Sequence, residues 1–122
     1  MKNKDHCIFC KIAQGEIPSP RVYEDELVFC IKDIQPQAKH HFLIISKQHI
    51  SSLEEAFTQE KEKDSKVLLG HIFKVATEIA KKEGLLPHGF RTVINTNEGG
   101  GQTVFHLHVH LLGGETLKDR FN

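Results

Sequence analysis

The run His106-Leu107-His108-Val109-His110 places three imidazoles at alternate positions. In an extended chain, alternate side chains share a face. His106, His108 and His110 therefore point one way; Phe105, Leu107, Val109 and Leu111 point the other, toward a core. An imidazole with a pKa of about 6.5 is partly neutral at physiological pH. A neutral ring nitrogen can attack phosphorus, and water can cleave the phosphoimidazole that results. Neighbouring rings can brace phosphate oxygens or protonate a departing group. A metal site is the rival use, because histidine is the commonest metal ligand, but no Asp or Glu lies within the strand to complete one. The plain alternative is a row of surface histidines on a half-buried strand, and strict register on one face argues against it.

The segment feeding this strand is Asn95-Thr96-Asn97-Glu98-Gly99-Gly100-Gly101-Gln102-Thr103. Consecutive glycines let backbone N–H groups turn toward an anion, as in phosphate-binding nests. Gln102 and Thr103 are expected to add side-chain donors. Taken alone, a triple glycine also fits a flexible hairpin loop.

A second chemical feature is Cys7-Ile8-Phe9-Cys10, whose two-residue gap lets two thiolates reach one zinc ion. One such pair is half a site, and the missing ligands should be His or Cys from elsewhere. The alternatives are a redox pair, which lacks a βαβ context here, and two small buried residues at a helix start. Cys30 has no nearby partner and reads as a strand core residue. His6, His40, His71 and His88 receive no role.

The elements that must position these groups are legible in outline. Arg21–Glu24 and Leu27–Ile31 read as two strands around the turn Asp25-Glu26. Phe42–Ile45 is a continuous apolar run suited to a buried central strand, and Phe90–Asn95 and Phe105–Leu112 are the remaining strands. A helix is expected over about 66–82, where Leu68, Ile72, Val75, Ala76 and Ile79 form one stripe. Lys81 and Lys82 suit its C-terminus, and Gly84 terminates it. Leu69, Phe73 and Ala80 widen its apolar surface, as a broader core face or a subunit contact. Shorter helices are expected near Ser51-Ser52, capped ahead of Glu54 and Glu55, and over 9–14. The Lys and Glu runs from Glu54 to Lys66 read as a solvated loop and helix end. Strands come first, one long helix separates the third from the fourth, and there is no βαβ rhythm. That order predicts an α+β fold around an antiparallel sheet.

The 122 residues suffice for one domain and one core, with flexible ends expected at about 1–5 and 117–122. Sixteen basic and sixteen acidic residues cancel, which argues against a protein whose affinity comes from a broad field on nucleic acid or anionic membrane. No apolar run is long enough to span a bilayer, and Met1–His6 is not followed by the apolar stretch of a signal peptide. A cytoplasmic protein is expected, with cysteines as thiols or metal ligands.

The histidine strand, with Cys7-Ile8-Phe9-Cys10-Lys11-Ile12, Asp33-Ile34-Gln35-Pro36, His41-Phe42-Leu43-Ile44, Lys47-Gln48-His49-Ile50 and Gly100-Gly101-Gln102-Thr103-Val104-Phe105, resembles the histidine triad nucleotide-binding family. The motifs occur in order over nearly the whole chain. Within the family the likeness is to the Hint branch in its bacterial form. It implies a five-stranded antiparallel sheet with one long helix and short helices, and two subunits joining their sheets across a two-fold axis.

The resemblance implies that His108 attacks an α-phosphate and forms a nucleotidyl-imidazole. His110 would contact the phosphate, His106 would support the triad, and His41 would lie close to the nucleophile. Asp33 would hold ribose hydroxyls; Ile8, Phe9, Ile12, Ile31, Ile34 and Leu53 would wall a purine pocket. Asn95, Gly101, Gln102 and Thr103 would contact phosphate. Cys7, Cys10, His49 and His106 would bind a structural zinc, with no cofactor needed for catalysis. From residue type alone, Asp33 also fits a turn start, His41 a strand edge, and the apolar set plain core. The tail from Thr116 lacks the Trp-Pro-Pro ending of the animal Hint proteins.

The expected activity is hydrolysis or nucleotidyl transfer at the α-phosphate of AMP or GMP derivatives, foremost phosphoramidates, by a homodimer binding neither nucleic acid nor membrane. The alternatives are a dinucleoside polyphosphate hydrolase of Fhit type and a non-catalytic nucleotide- or zinc-binding regulatory protein.

Overall fold

A computed structural model describes residues 6–119. The ends expected to be flexible fall largely outside these residues. The elements in chain order are α1 (Ile8–Ala13), β1 (Tyr23–Glu24), β2 (Val28–Lys32), β3 (His40–Ser46), α2 (Leu53–Ala56), α3 (Glu62–Lys82), β4 (Phe90–Val93) and β5 (His108–Gly113). The strands form one antiparallel sheet in the order β1-β2-β3-β5-β4. This is the α+β architecture expected.

Both faces of the central strands are covered, which explains their unbroken apolar runs. Val28, Cys30, Phe42, Ile44, Val109 and Leu111 face α3 and pack with its stripe Leu68, Ile72, Val75, Ala76 and Ile79. Phe29, Ile31, Leu43 and Ile45 face α1 and pack with Phe9 and Ile12. The histidines of β5 share this α1 face, because each alternates with a residue committed to the α3 side.

Most strand and helix ends differ from the sequence reading by one or two residues, and two differ by more. α3 begins at Glu62, a turn before the expected start, because its first turn carries Glu62 and Asp64 and little apolar signal. β5 begins at His108, so Phe105–Leu107 lie ahead of the ladder; its first β3 pairing is Ile45 with His108. Leu107 is held by other bonds: its N–H donates to the Ile50 carbonyl at 2.7 Å, and its carbonyl accepts from the Ser46 amide at 3.3 Å. α2 is capped as expected, with Ser52 Oγ accepting from the Glu55 amide. Gly84, at φ 77°, ends α3, and the next amide, Leu85, reaches back to the Ala80 carbonyl at 2.8 Å.

Candidate active site and metal centre

Register places the histidines. Leu43 pairs with His110 and Ile45 with His108 across β3 and β5, and His41 lies diagonally from His110 on the same face. His106, His108 and His110 all lie on that face despite the late start of the ladder. Phe9 of α1 presents an edge to both His106 and His108, with ring centroids 5.8 and 5.2 Å away. His108 and His110 meet edge to face at 5.2 Å.

The hydrogen-bond network assigns the tautomers. The Gln37 amide donates to His41 Nδ1 at 3.0 Å. His41 must therefore carry its proton on Nε2, which lies 2.9 Å from His110 Nδ1 and 3.4 Å from Asp33 Oδ2. His110 Nδ1 accepts that proton's bond, so its Nε2–H is left to donate. His108 Nδ1 lies 2.6 Å from the His106 carbonyl, which can only accept. His108 Nδ1 thus holds the proton, and its Nε2 keeps a bare lone pair. A donor and a nucleophilic nitrogen therefore stand on adjacent rings.

Burial keeps these rings neutral. It lowers His108, against the opposing pull of its bond to the His106 carbonyl and of Asp33. His110 falls to about 4, through burial first and then the neighbouring His108 and His41. His41 is lowered by burial, with Asp33 opposing.

Other expected residues divide. Asp33 sits just after β2, where its Oδ1 accepts from the Gln35 amide at 2.8 Å. Phe9, Ile12 and Ile31 pack together. Ile8 is partly exposed, and Ile34 is 94% exposed. Leu53, expected with them, is half-buried against the α3-face core.

The glycine loop is used differently from the nest expected. The N–H groups of Gly100 and Gln102 donate to the Asn97 carbonyl, and that of Gly101 to the Glu98 carbonyl. These amides close the loop on itself. Gln102 is buried, and its side-chain N–H groups go to the Ser51 and Val104 carbonyls at 2.7 and 3.0 Å. Its Oε1 accepts from the Asn97 amide at 2.7 Å. Gln102 thus braces the loop, because a buried amide satisfies itself locally. Thr103 is exposed beside it, and Asn95 is half-buried just past β4.

The second cluster joins Cys7, Cys10, His49 and His106. Their ligand atoms all lie within 4.8 Å of one another. Cys7 Sγ is 3.1 Å and Cys10 Sγ 3.5 Å from His106 Nδ1, and Cys10 Sγ is 3.2 Å from His49 Nδ1. A tetrahedral zinc bound by sulfur and nitrogen has such edges at roughly 3.6 Å, so the set fits that ion. The His106 Nε2 lies 2.6 Å from the Ser46 carbonyl, so that nitrogen holds the proton and Nδ1 offers its lone pair to the cluster. Burial, with His49 and His108 nearby, brings His106 down to about 4 although the Ser46 bond opposes it. A bare Nδ1 is the form a metal needs. Cys30 stands apart in the α3-face core, where burial pushes its thiol up to about 12. It is the strand core residue expected, and so buried a thiol is unreactive.

Three contributors escaped the sequence reading. The Gln37 amide and the Ser46 carbonyl act through backbone atoms that any residue type supplies. His71 bonds Asp25 Oδ2 at 2.6 Å and ties α3 to the β1–β2 turn.

The profile described as "Scavenger mRNA decapping enzyme C-term binding" matches residues 6–120. The chain is 50% identical over 109 residues to protein HitA of Neisseria gonorrhoeae, covering 89% of this chain and 96% of that one. It is 42% identical over 113 residues to the purine nucleoside phosphoramidase of Escherichia coli K12, covering 93% and 91%. The fold superposes on the HIT family hydrolase of Legionella pneumophila with a TM-score of 0.83 at 45% identity, covering 93% and 96%. For the histidine triad protein of Clostridium difficile the TM-score is 0.86 at 41% identity, covering 99% and 100%. Fold, triad and sequence agree: this chain belongs to the histidine triad family and is a hydrolase.

Proposed function

We propose that this protein hydrolyses purine nucleoside phosphoramidates at the α-phosphate through a nucleotidyl-His108 intermediate. The observation that carries the reading is the bare Nε2 of His108, imposed by the 2.6 Å bond from its Nδ1 to the His106 carbonyl. In the first step that nitrogen bonds to phosphorus as the P–N bond to the leaving amine breaks. The amine must gain a proton to depart; it takes one from solvent, since a neutral His110 cannot give up its only ring proton, and the Nε2–H of His110 is assigned as a hydrogen-bond donor toward the leaving group. Water then attacks the phosphoimidazole, releasing the nucleoside monophosphate and restoring His108. The phosphoramidase relative supports this leaving group over a dinucleoside polyphosphate.

Asp33 is assigned to the ribose hydroxyls. Ile8, Phe9, Ile12, Ile31 and Ile34 are assigned to the base, whose flat face would cover the exposed Ile34. The Thr103 hydroxyl is assigned to the phosphate, with Gly101 and Gln102 shaping the loop that carries it and Asn95 and Leu53 at the margin of this site.

Cys7, Cys10, His49 and His106 are assigned to a structural zinc, which would tie α1 to the segment entering β5. Among the described residues no helix is long and apolar enough to cross a membrane. A homodimer is supported by β4, a sheet-edge strand, and by the partly exposed Phe73 on α3.

Turnover of AMP-phosphoramidate by native protein and by His108→Ala tests the reading. Native protein should turn over and yield a trapped acid-labile adduct; the variant should do neither. A variant as fast as native protein would overturn the nucleophile assignment.

A further inference from the structure

His106 belongs to both clusters. Its ring is fully buried and held from two sides, by the Ser46 carbonyl at Nε2 and by the Cys7 and Cys10 sulfurs at Nδ1. Its backbone carbonyl accepts the Nδ1–H of His108. Residue 106 also lies outside the β ladder, which opens only at the Ile45–His108 pair. Its position is therefore set by its side chain and by the bonds of Leu107, rather than by strand pairing of its own.

We propose that the Cys7–Cys10–His49–His106 metal centre is a positioning device for the reaction: by gripping the His106 ring, it holds the carbonyl that keeps His108 in its Nδ1–H tautomer. The inference rests on the assignment of His108 as nucleophile. The two neutral tautomers of an imidazole are chosen by the partners each nitrogen finds. The His106 carbonyl is the acceptor that reserves the proton for Nδ1; with it displaced the Nε2–H form becomes accessible, and that form lacks the attacking lone pair. Metal–ligand bonds hold His106 in a way that a weak thiol hydrogen bond cannot. Cys7, Cys10 and His49 are then positioning residues for a nucleophile none of them touches.

The cluster is approached from its His49 side. Cys10 and His49 border a cleft of about 370 Å³, walled also by Ala13, Gln14, Lys47 and Gln48. Cys7→Ser removes a thiolate yet keeps an oxygen to cap α1, where Cys7 Sγ now accepts from the Cys10 amide. His49→Gln removes the half-buried ligand at the rim.

The experiment compares zinc-loaded protein, chelator-stripped protein, C7S and H49Q. Each is measured for zinc per chain, thermal unfolding, 15N shifts of the His108 ring, and kcat and KM on AMP-phosphoramidate. Zinc-depleted protein that stays folded should show the His108 proton spread between both ring nitrogens. Its kcat should fall at least about tenfold with little change in KM. Adding zinc back to the stripped protein should restore both. Either variant suffices if the other fails to fold. Folded, zinc-free protein with the loaded tautomer and kcat would overturn the proposal. If the loaded protein proves unable to turn over the substrate, the functional reading fails, and the ring shifts alone decide the coupling.

Discussion

His41 Nε2 lies 2.9 Å from His110 Nδ1, and the proton between them is directed from outside the pair. The Gln37 amide occupies His41 Nδ1 and forces His41 to donate, which in turn makes His110 a donor through Nε2. The residue upstream of β5 thus sets the polarity of the triad's last member. Replacing His41 by Ala frees His110 to put its proton on Nδ1 and to present a lone pair where the leaving group needs a donor. The expected result is a kcat on AMP-phosphoramidate lower by about tenfold or more, with KM little changed. Gln37→Ala should be nearly silent, since its contribution is a backbone N–H. Steady-state kinetics on both variants check the pair, and an unaltered kcat in H41A would contradict the wiring.

The same burial makes stability depend on pH. His110 titrates at about 4 in the folded chain, because burial and the nearby His108 and His41 disfavour its charge more than Asp33 favours it. In the unfolded chain its pKa is about 6.5. Above that pH both states are neutral and the full stability is present. As pH falls from about 6.5 toward 4, the unfolded chain takes up a proton that the folded chain refuses, so stability is lost. Because the ring is partly accessible, its share is on the order of 2 kcal/mol. Urea melts of native protein and His110→Gln at about pH 7.5 and about pH 4.5, which span most of that window, should show a smaller drop in the variant. An equal drop would place the acid sensitivity elsewhere.

How much of this was legible follows from which atoms act. The alternation of His106, His108 and His110 with Leu107, Val109 and Leu111 marked the face of β5, because side chains there must choose between a core and a site. The pairing of Cys7 and Cys10 with His49 and His106 came from family resemblance, since sequence separation says nothing of what lies within 4.8 Å. The Gln37 amide and the Ser46 carbonyl left no residue-type signal. Gln102 was legible as a polar residue in a loop, but burial turned its donors inward. The start of β5 was misplaced because Leu107 bonds to Ser46, the last residue of β3, and to Ile50 beyond it, ahead of the first β3–β5 pair.

Gln102 gives a stability prediction that follows from that inward turn. Gln102→Leu fits a similar volume but leaves the Asn97 N–H and the Ser51 and Val104 carbonyls without their side-chain partner. Buried groups left unpaired cost about 1–3 kcal/mol each where water cannot reach them. Partial hydration at this loop brings the expected loss to about 2–4 kcal/mol in all. Chemical denaturation measures it. A loss below about 0.5 kcal/mol would mean that the amide does not brace the loop.

The Asp25 cluster separates stability from chemistry. Its carboxylate accepts from Tyr23 Oη at 2.7 Å and from the Leu27 and Val28 amides at 2.8 and 2.9 Å, and it meets His71 Nε2 at 2.6 Å. Burial works against its ionisation, but the bonds from Tyr23, His71 and the two amides outweigh it and hold the carboxyl far below its usual range. The cluster joins α3 to the turn between β1 and β2, away from the histidine face. Asp25→Ala removes every one of these acceptors, so a cost of about 2–3 kcal/mol is expected. The phosphoramidase kcat of the folded variant should stay within about twofold of native, because no bond of this cluster reaches His41, His106, His108 or His110. A kcat collapse in folded D25A would show that the α3 side controls the triad, and would require a path through the sheet that the hydrogen bonds do not trace.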